Sequence, residues 1–279
     1  MNRLLSIELQ KIWKNKASRI LTIAYFVLLS FIALIASIKF DLGPFHVDPA
    51  EMGIFNFPFI WHFNTYVAAV LKFFLAIVIV SMMANEYSYG TLKQNLIDGM
   101  SKKEFVLSKF LTVILFAFAS TVFVFIMSLI LGYSFSSYTE IGIVFSDLEY
   151  LLAFFAKLTC FFAMCLFLGI FVKKSAFALG FLIVWSIIEN IIIGILNFKI
   201  FPDNENKADM ISQFLPLEAM SNLIVNPSSR LSLIKEAGVK IGVDTSTDYA
   251  VHFSSIAIVA LWTIIFIFLS YKLLEKRDL

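Results

Sequence analysis

A chain of 279 residues with a mean hydropathy of +0.88, 60% hydrophobic and only 15% charged, is too apolar for water to be its main solvent, since soluble domains carry about 25% charged residues. The net charge of +2 gives no reason to expect a nucleic-acid partner. Cys160 and Cys165 share one apolar run but point to different helix faces, which predicts neither a disulfide nor a metal site.

Residues 1–19 come first. Leu5, Leu9, Ile12 and Trp13 fall on one helical face, with Arg3, Ser6, Gln10 and Lys14 opposite. The pattern predicts an amphipathic helix lying flat at the membrane interface, either on anionic lipid or against a soluble partner. Apolar stretches of about 20 residues, the length of a bilayer crossing, then run from Ile20 to Ile38, Tyr66 to Ala84, Phe110 to Gly132, Leu151 to Val172, Ala176 to Phe198 and Tyr249 to Tyr271. They are too long and continuous for barrel strands, which alternate over about 10 residues. An all-α polytopic membrane protein with six spans is expected. It forms one transmembrane domain over residues 1–279, with an amphipathic segment at 1–19, spans one to five within 20–198, an outer loop at 199–248 and span six with a tail at 249–279. Lys and Arg concentrate on one side, in Arg3, Lys11, Lys14, Lys16, Arg19, Lys93, Lys102, Lys103, Lys109, Lys173, Lys174, Lys272, Lys276 and Arg277. That bias predicts a multi-pass plasma-membrane protein with both termini in the cytoplasm.

The first outer segment, Lys39 to Thr65, is aromatic and broken by Pro44, Pro49 and Pro58, and is expected to lie against the interface. Between spans two and three, Asn85 to Lys109 reads as helix, stop, helix. Thr91 to Asp98 sets Leu92 and Leu96 on one face amid Lys93, Gln94 and Asn95, and Gly99 stands where a C-terminal cap needs positive φ. Ser101 and Glu104 then have the spacing of a capping box. A helix this short is marginal by itself in water, so it must be braced, by its own spans or by a docked cytoplasmic partner. Lys173 to Ser175 is a minimal turn that makes spans four and five antiparallel neighbours. Beyond span five, Asp203 to Asp209 reads as a flexible polar turn, and Ile211 to Ile234 as short helices interrupted at Pro216 and Pro227, capping the outer mouth.

Three ionisable residues fall inside spans. At 1.5 Å rise per residue, Lys72 and Lys157 lie roughly 10 Å below the outer surface and Glu189 roughly 14 Å below it. Intramembrane charges pair or face water, so Glu189 is expected either to form an ion pair with one of the lysines or to leave each lysine to snorkel outward. His46, His62 and His252 are too scattered to predict a metal site and read as solvated or interfacial. No glycine is followed by lysine, so no phosphate-binding loop is present and the chain is not expected to hydrolyse ATP itself. Hydrolase and metalloprotease signatures are likewise missing, which disfavours an enzyme.

These features resemble the permease subunits of ABC-2 type transporters, also called type V ABC exporters. The resemblance rests on the amphipathic elbow Leu4 to Arg19, the run Asn85 to Glu104, and the terminal Lys276-Arg277-Asp278. Its specific part is the E-x-x-x-G-T pattern of Glu86, Gly90 and Thr91, which in that family leads into a coupling helix seated in a groove of the ATPase. The resemblance implies a coupling role for Glu86, Gly90, Thr91, Leu92, Lys93, Leu96, Asp98 and Gly99. It also implies a cytoplasmic ABC ATPase subunit as partner, with ATP and Mg bound there and no cofactor in this chain, and a second permease copy or a homologous permease. Membrane lipids complete the expected partners. The alternatives are a self-contained secondary transporter or channel, which would show inverted repeats and broken mid-membrane helices, or a membrane enzyme or scaffold.

Overall fold

The computed structural model describes residues 2–36, 38, 40–42, 45–47, 53–202, 204–230 and 248–277, and these are overwhelmingly helical. The amphipathic segment forms α1 (Asn2–Lys14), and Asn15 breaks it from α2 (Lys16–Ala36). Asn15 caps the second helix: its side-chain oxygen accepts from the backbone N–H of Ser18 at 3.0 Å. A small antiparallel hairpin follows, β1 (Phe40–Leu42) with β2 (Phe45–Val47), Phe40 facing Val47. Next come α3 (Phe59–Val70) and α4 (Lys72–Ser88), bent by 45° about Leu71, then the short α5 (Thr91–Ile97) and the long α6 (Lys102–Phe135). The chain continues through α7 (Ile141–Val144), α8 (Glu149–Val172) and α9 (Ser175–Ile195), which runs into a π turn at Leu196–Ile200. Two short helices, α10 (Glu205–Ser212) and α11 (Pro216–Asn222), and a 3-10 turn at Pro227–Arg230 precede α12 (Phe253–Glu275).

Among the described residues, four helical stretches are long and apolar enough to cross a membrane: Lys102–Phe135, Ile141–Val172, Ser175–Ile200 and Phe253–Glu275. The bent pair Phe59–Ser88 makes a fifth if its halves form one span. This is a helical membrane protein. Its core is α8, which is apolar on every side and, as such a helix must be, is enclosed, here by α3, α4, α6, α9 and α12. Phe154, Leu158 and the run from Cys160 to Leu166 are buried there. On α9 and α12, by contrast, Phe177, Ile183, Ile187, Ile191, Leu261 and Ile264 face outward.

Several expectations are corrected. Phe55, Phe57 and Trp61 do not lie against the interface: all three are buried, and the Trp61 indole N–H donates to the Val144 carbonyl at 2.9 Å. Phe57 fits a notch on α6 made by Gly132, where a Cβ would come within 2.2 Å of its ring. His62 is neither solvated nor interfacial. It is fully buried, stacked on Tyr150 at 4.4 Å, with Nε2–H donating to the Val225 carbonyl and Nδ1 accepting from Arg230. The polar stretch before Ile211 is helical rather than a flexible turn, because the Asn204 side chain accepts from the Lys207 N–H and starts α10. Pro216 and Pro227 each stand at the start of a short helical segment rather than interrupting one, whereas Pro44, Pro49, Asp203, Leu231, Ile234 and Asp278 lie outside the described residues.

Candidate functional site

The chain leaves α4 through Tyr89 and Gly90, and Gly90 holds φ at +67°, the left-handed conformation glycine adopts without steric penalty. That turn swings the first residue of α5 back over the end of α4. Thr91 therefore donates its hydroxyl to Glu86 Oε2 at 2.5 Å. The three motif residues Glu86, Gly90 and Thr91 thus form one local unit: an acceptor, a turn and a donor.

At its other end α5 closes in a Schellman motif. Gly99 takes φ +97°, its N–H bonds to the Leu96 carbonyl and the Met100 N–H to the Asn95 carbonyl. Ser101 and Glu104 then form the full capping box that opens α6. Leu92 is buried and Leu96 half-buried against the bundle, while Tyr89, Lys93, Gln94, Ile97 and Asp98 face outward. The apolar face of α5 rests on its own spans. The opposite face is open, with Tyr89 and Ile97 both 75% exposed beside the exposed Lys93.

Glu86 is not on that face. It is 3% exposed and belongs to a cluster from three helices in which the buried Glu8, Glu86 and Lys109 are joined by the half-buried Lys11. Lys109 of α6, fully buried, reaches Glu86 Oε1 and Glu8 Oε2 of α1, both at 2.5 Å. Lys11, one turn along α1, reaches Glu86 Oε1 at 2.8 Å and Glu8 Oε1 at 3.6 Å. Burial alone would lower the Lys11 ammonium, but the hydrogen bond to Glu86 and the nearby Glu8 and Glu86 charges outweigh it and hold Lys11 above the ordinary lysine value. The formal charges sum to zero and each carboxylate is met by both cations, the condition under which buried ions are tolerated. Through Thr91, this cluster ties α5 mechanically to α1, α4 and α6.

A second clasp lies beside it. Arg277 donates to the Tyr87 hydroxyl at 2.9 Å and to the Ile170 and Phe171 carbonyls, at the C-terminal end of α8, where carbonyls lack helical partners. Lys102 likewise donates to the Glu275 and Arg277 carbonyls.

Glu8 and Lys109 escaped the sequence reading, which counted Lys109 only as an inner positive charge. A signal was present. Glu8 shares the face of Leu5 and Ile12, and Lys109 shares that of Phe105 and Phe116, so each is a charge on an otherwise apolar stripe with an opposite charge available. On α1 the predicted face divides: Ile12 is buried and Leu5 half-buried against the bundle, while Leu9 and Trp13 point outward.

At the far end of the bundle, the expected ion pair between Glu189 and Lys72 or Lys157 is not formed. Glu189 instead accepts from the Trp185 indole at 2.5 Å and from the backbone N–H groups of Leu217 and Glu218 at 3.0–3.2 Å, at the start of α11. Free N–H donors at a helix start outcompete a flexible lysine, because they are already oriented and lose no side-chain freedom on binding. Lys72 lies 4.4 Å from the Phe161 ring centroid and Lys157 is 6% exposed.

The profile of a family described as "Protein of unknown function (DUF2705)" matches residues 51–279, a stretch that includes Glu86, α5 and Lys109. No curated protein matches the sequence.

Proposed function

This chain belongs to the DUF2705 family, and on the geometry of its short helix we propose that it is the membrane-spanning permease subunit of an ATP-binding cassette exporter, powered by a separate ATPase. Six spans follow if α2 and the bent pair α3–α4 cross the membrane together with the four apolar helical stretches. The lysine and arginine bias then sets both termini and α5 in the cytoplasm.

One observation carries the reading. A seven-residue helix, too short to persist alone, is held by a glycine turn at its start, a Schellman cap at its end, a buried leucine and a threonine bond to a buried carboxylate, and still presents Tyr89, Lys93 and Ile97 outward. A surface element held this firmly transmits displacement rather than absorbing it. Closure of an ATPase pair against α5 would push on Thr91 and Glu86, and so on α1, α4 and α6 as one body. The export cycle then follows from the ATPase favouring one of two bundle arrangements. A second copy or a related permease would complete the pathway.

The test separates docking from folding. Lys93→Glu with Ile97→Asp alters only the exposed face, so the chain stays folded while recovery of the co-expressed ATPase on pulldown falls sharply. Glu86→Gln or Leu92→Asp disturbs the support and does not report on docking alone. Wild-type recovery of the ATPase with the exposed-face pair, or labelling of Gln94→Cys by an impermeant reagent on intact cells, overturns the proposal.

A further inference from the structure

Between α4, α8, α9 and α11 lies a cavity of about 190 Å³ lined by Lys72, Lys157, Ser186 and Ser221 and walled by apolar side chains. A water molecule takes about 30 Å³, so there is room for a phosphate- or carboxylate-sized group. The lining holds two cations and two hydroxyls and no acid. Lys157 is nine-tenths buried, with no hydrogen bond or ion pair to any described residue. The two ammonium groups repel each other, and Glu218 attracts Lys157 from beyond salt-bridge distance. Glu189 is committed to Trp185 and the α11 backbone.

Two lysines in apolar surroundings that share one distant carboxylate and no salt bridge are unfavourable, and charges at such depth normally pair or mark a pathway. Phe73, in the cavity wall, and Ile183 and Ile187, beside Leu182 and Ser186 on α9, are exposed. An apolar chain leaving the cavity would therefore run along the outside of the bundle. We infer that the Lys72–Lys157 cavity binds the oxyanion of an amphiphile, with Lys72, Lys157 and the two serine hydroxyls on the headgroup and the chains lying along α9. The site is about 21 Å along α4 from Glu86, at 1.5 Å per residue, and its assignment does not depend on any ATPase.

The full-length chain, purified in neutral detergent, is titrated with phosphatidylglycerol or with phosphatidylcholine of the same acyl chains while Tm is followed. Phosphatidylglycerol should stabilise it at lower concentration than phosphatidylcholine. Lys72→Met with Lys157→Met should weaken phosphatidylglycerol binding by at least about tenfold, the loss expected from even one charge-assisted contact, whereas Lys103→Gln, exposed at the opposite end, leaves it unchanged. Competition by inorganic phosphate would mark the oxyanion as the recognised group, and retention of lipid against phosphate would mark the chains as sharing the binding; both support the site. An equal response to the two lipids, or unchanged phosphatidylglycerol affinity in the double variant, overturns it. If the double variant does not fold, Lys72→Gln, at a half-buried position, decides the matter by the same criterion.

Discussion

Removing the central cation of the α1–α4–α6 cluster is the sharpest perturbation the structure offers. Lys109→Met keeps the length of the side chain and its contact with Phe105, whose ring centroid lies 5.0 Å from Nζ, but leaves Glu8 and Glu86 with Lys11 alone. Two charge-assisted bonds of 2.5 Å disappear, each contributing about 1.5–3 kcal/mol. The sum matches the roughly 3–5 kcal/mol lost when one partner of a buried ion pair is removed. At about 2–4 °C per kcal/mol for a protein of this size class, Tm of the detergent-solubilised chain should fall by about 6–20 °C. The cycle with Glu8→Gln gives the sign of the coupling. Glu8→Gln with Lys109→Met removes one charge of each sign and leaves Glu86 paired with Lys11 and Thr91, so the double variant should be more stable than Lys109→Met alone. A Tm within 2 °C of wild type for Lys109→Met, or strict additivity in the cycle, would refute the view that this cluster braces the helices.

Further outcomes follow from single contacts. Gly132→Ala drives a Cβ into the Phe57 ring and should cost about 1–3 kcal/mol by overpacking, recovered in part by Phe57→Leu, with thermal unfolding of the three proteins as the measure. Gly90→Ala meets no neighbour within 4 Å but holds φ at +67°, so it should destabilise the α5 turn by about 1–2 kcal/mol, read as faster proteolysis after Lys93 with the rest of the bundle intact. Glu189→Gln keeps one acceptor oxygen for the α11 N–H groups and loses the charge, so it should loosen α11 and raise hydrogen exchange at Leu217 and Glu218, leaving exchange at Lys157 as in the wild type; an Ile211–Asn222 exchange profile identical to wild type would count against the cap. Arg277→Ala should release the end of α12 from Tyr87 and the α8 carbonyls, seen as faster exchange over Ile267–Glu275.

Local chemistry was legible in the sequence because it depends on neighbours a few residues apart. The capping box at Ser101 and Glu104, the glycine stop after α5, the tight turn at Lys173 and the apolar lengths of the later helices each follow from backbone conformation and bilayer thickness, which short stretches specify. The partners of the charges did not. Lys109 meets Glu8 and Glu86 across 101 and 23 positions, Glu189 chose backbone donors over two lysines at similar depth, and His62 and Phe57 went inside although their loop looked interfacial. Hydropathy tells a residue how deep to lie but not which neighbour it will face; that is decided by how helices rotate and pack around α8, a choice made by the whole bundle at once.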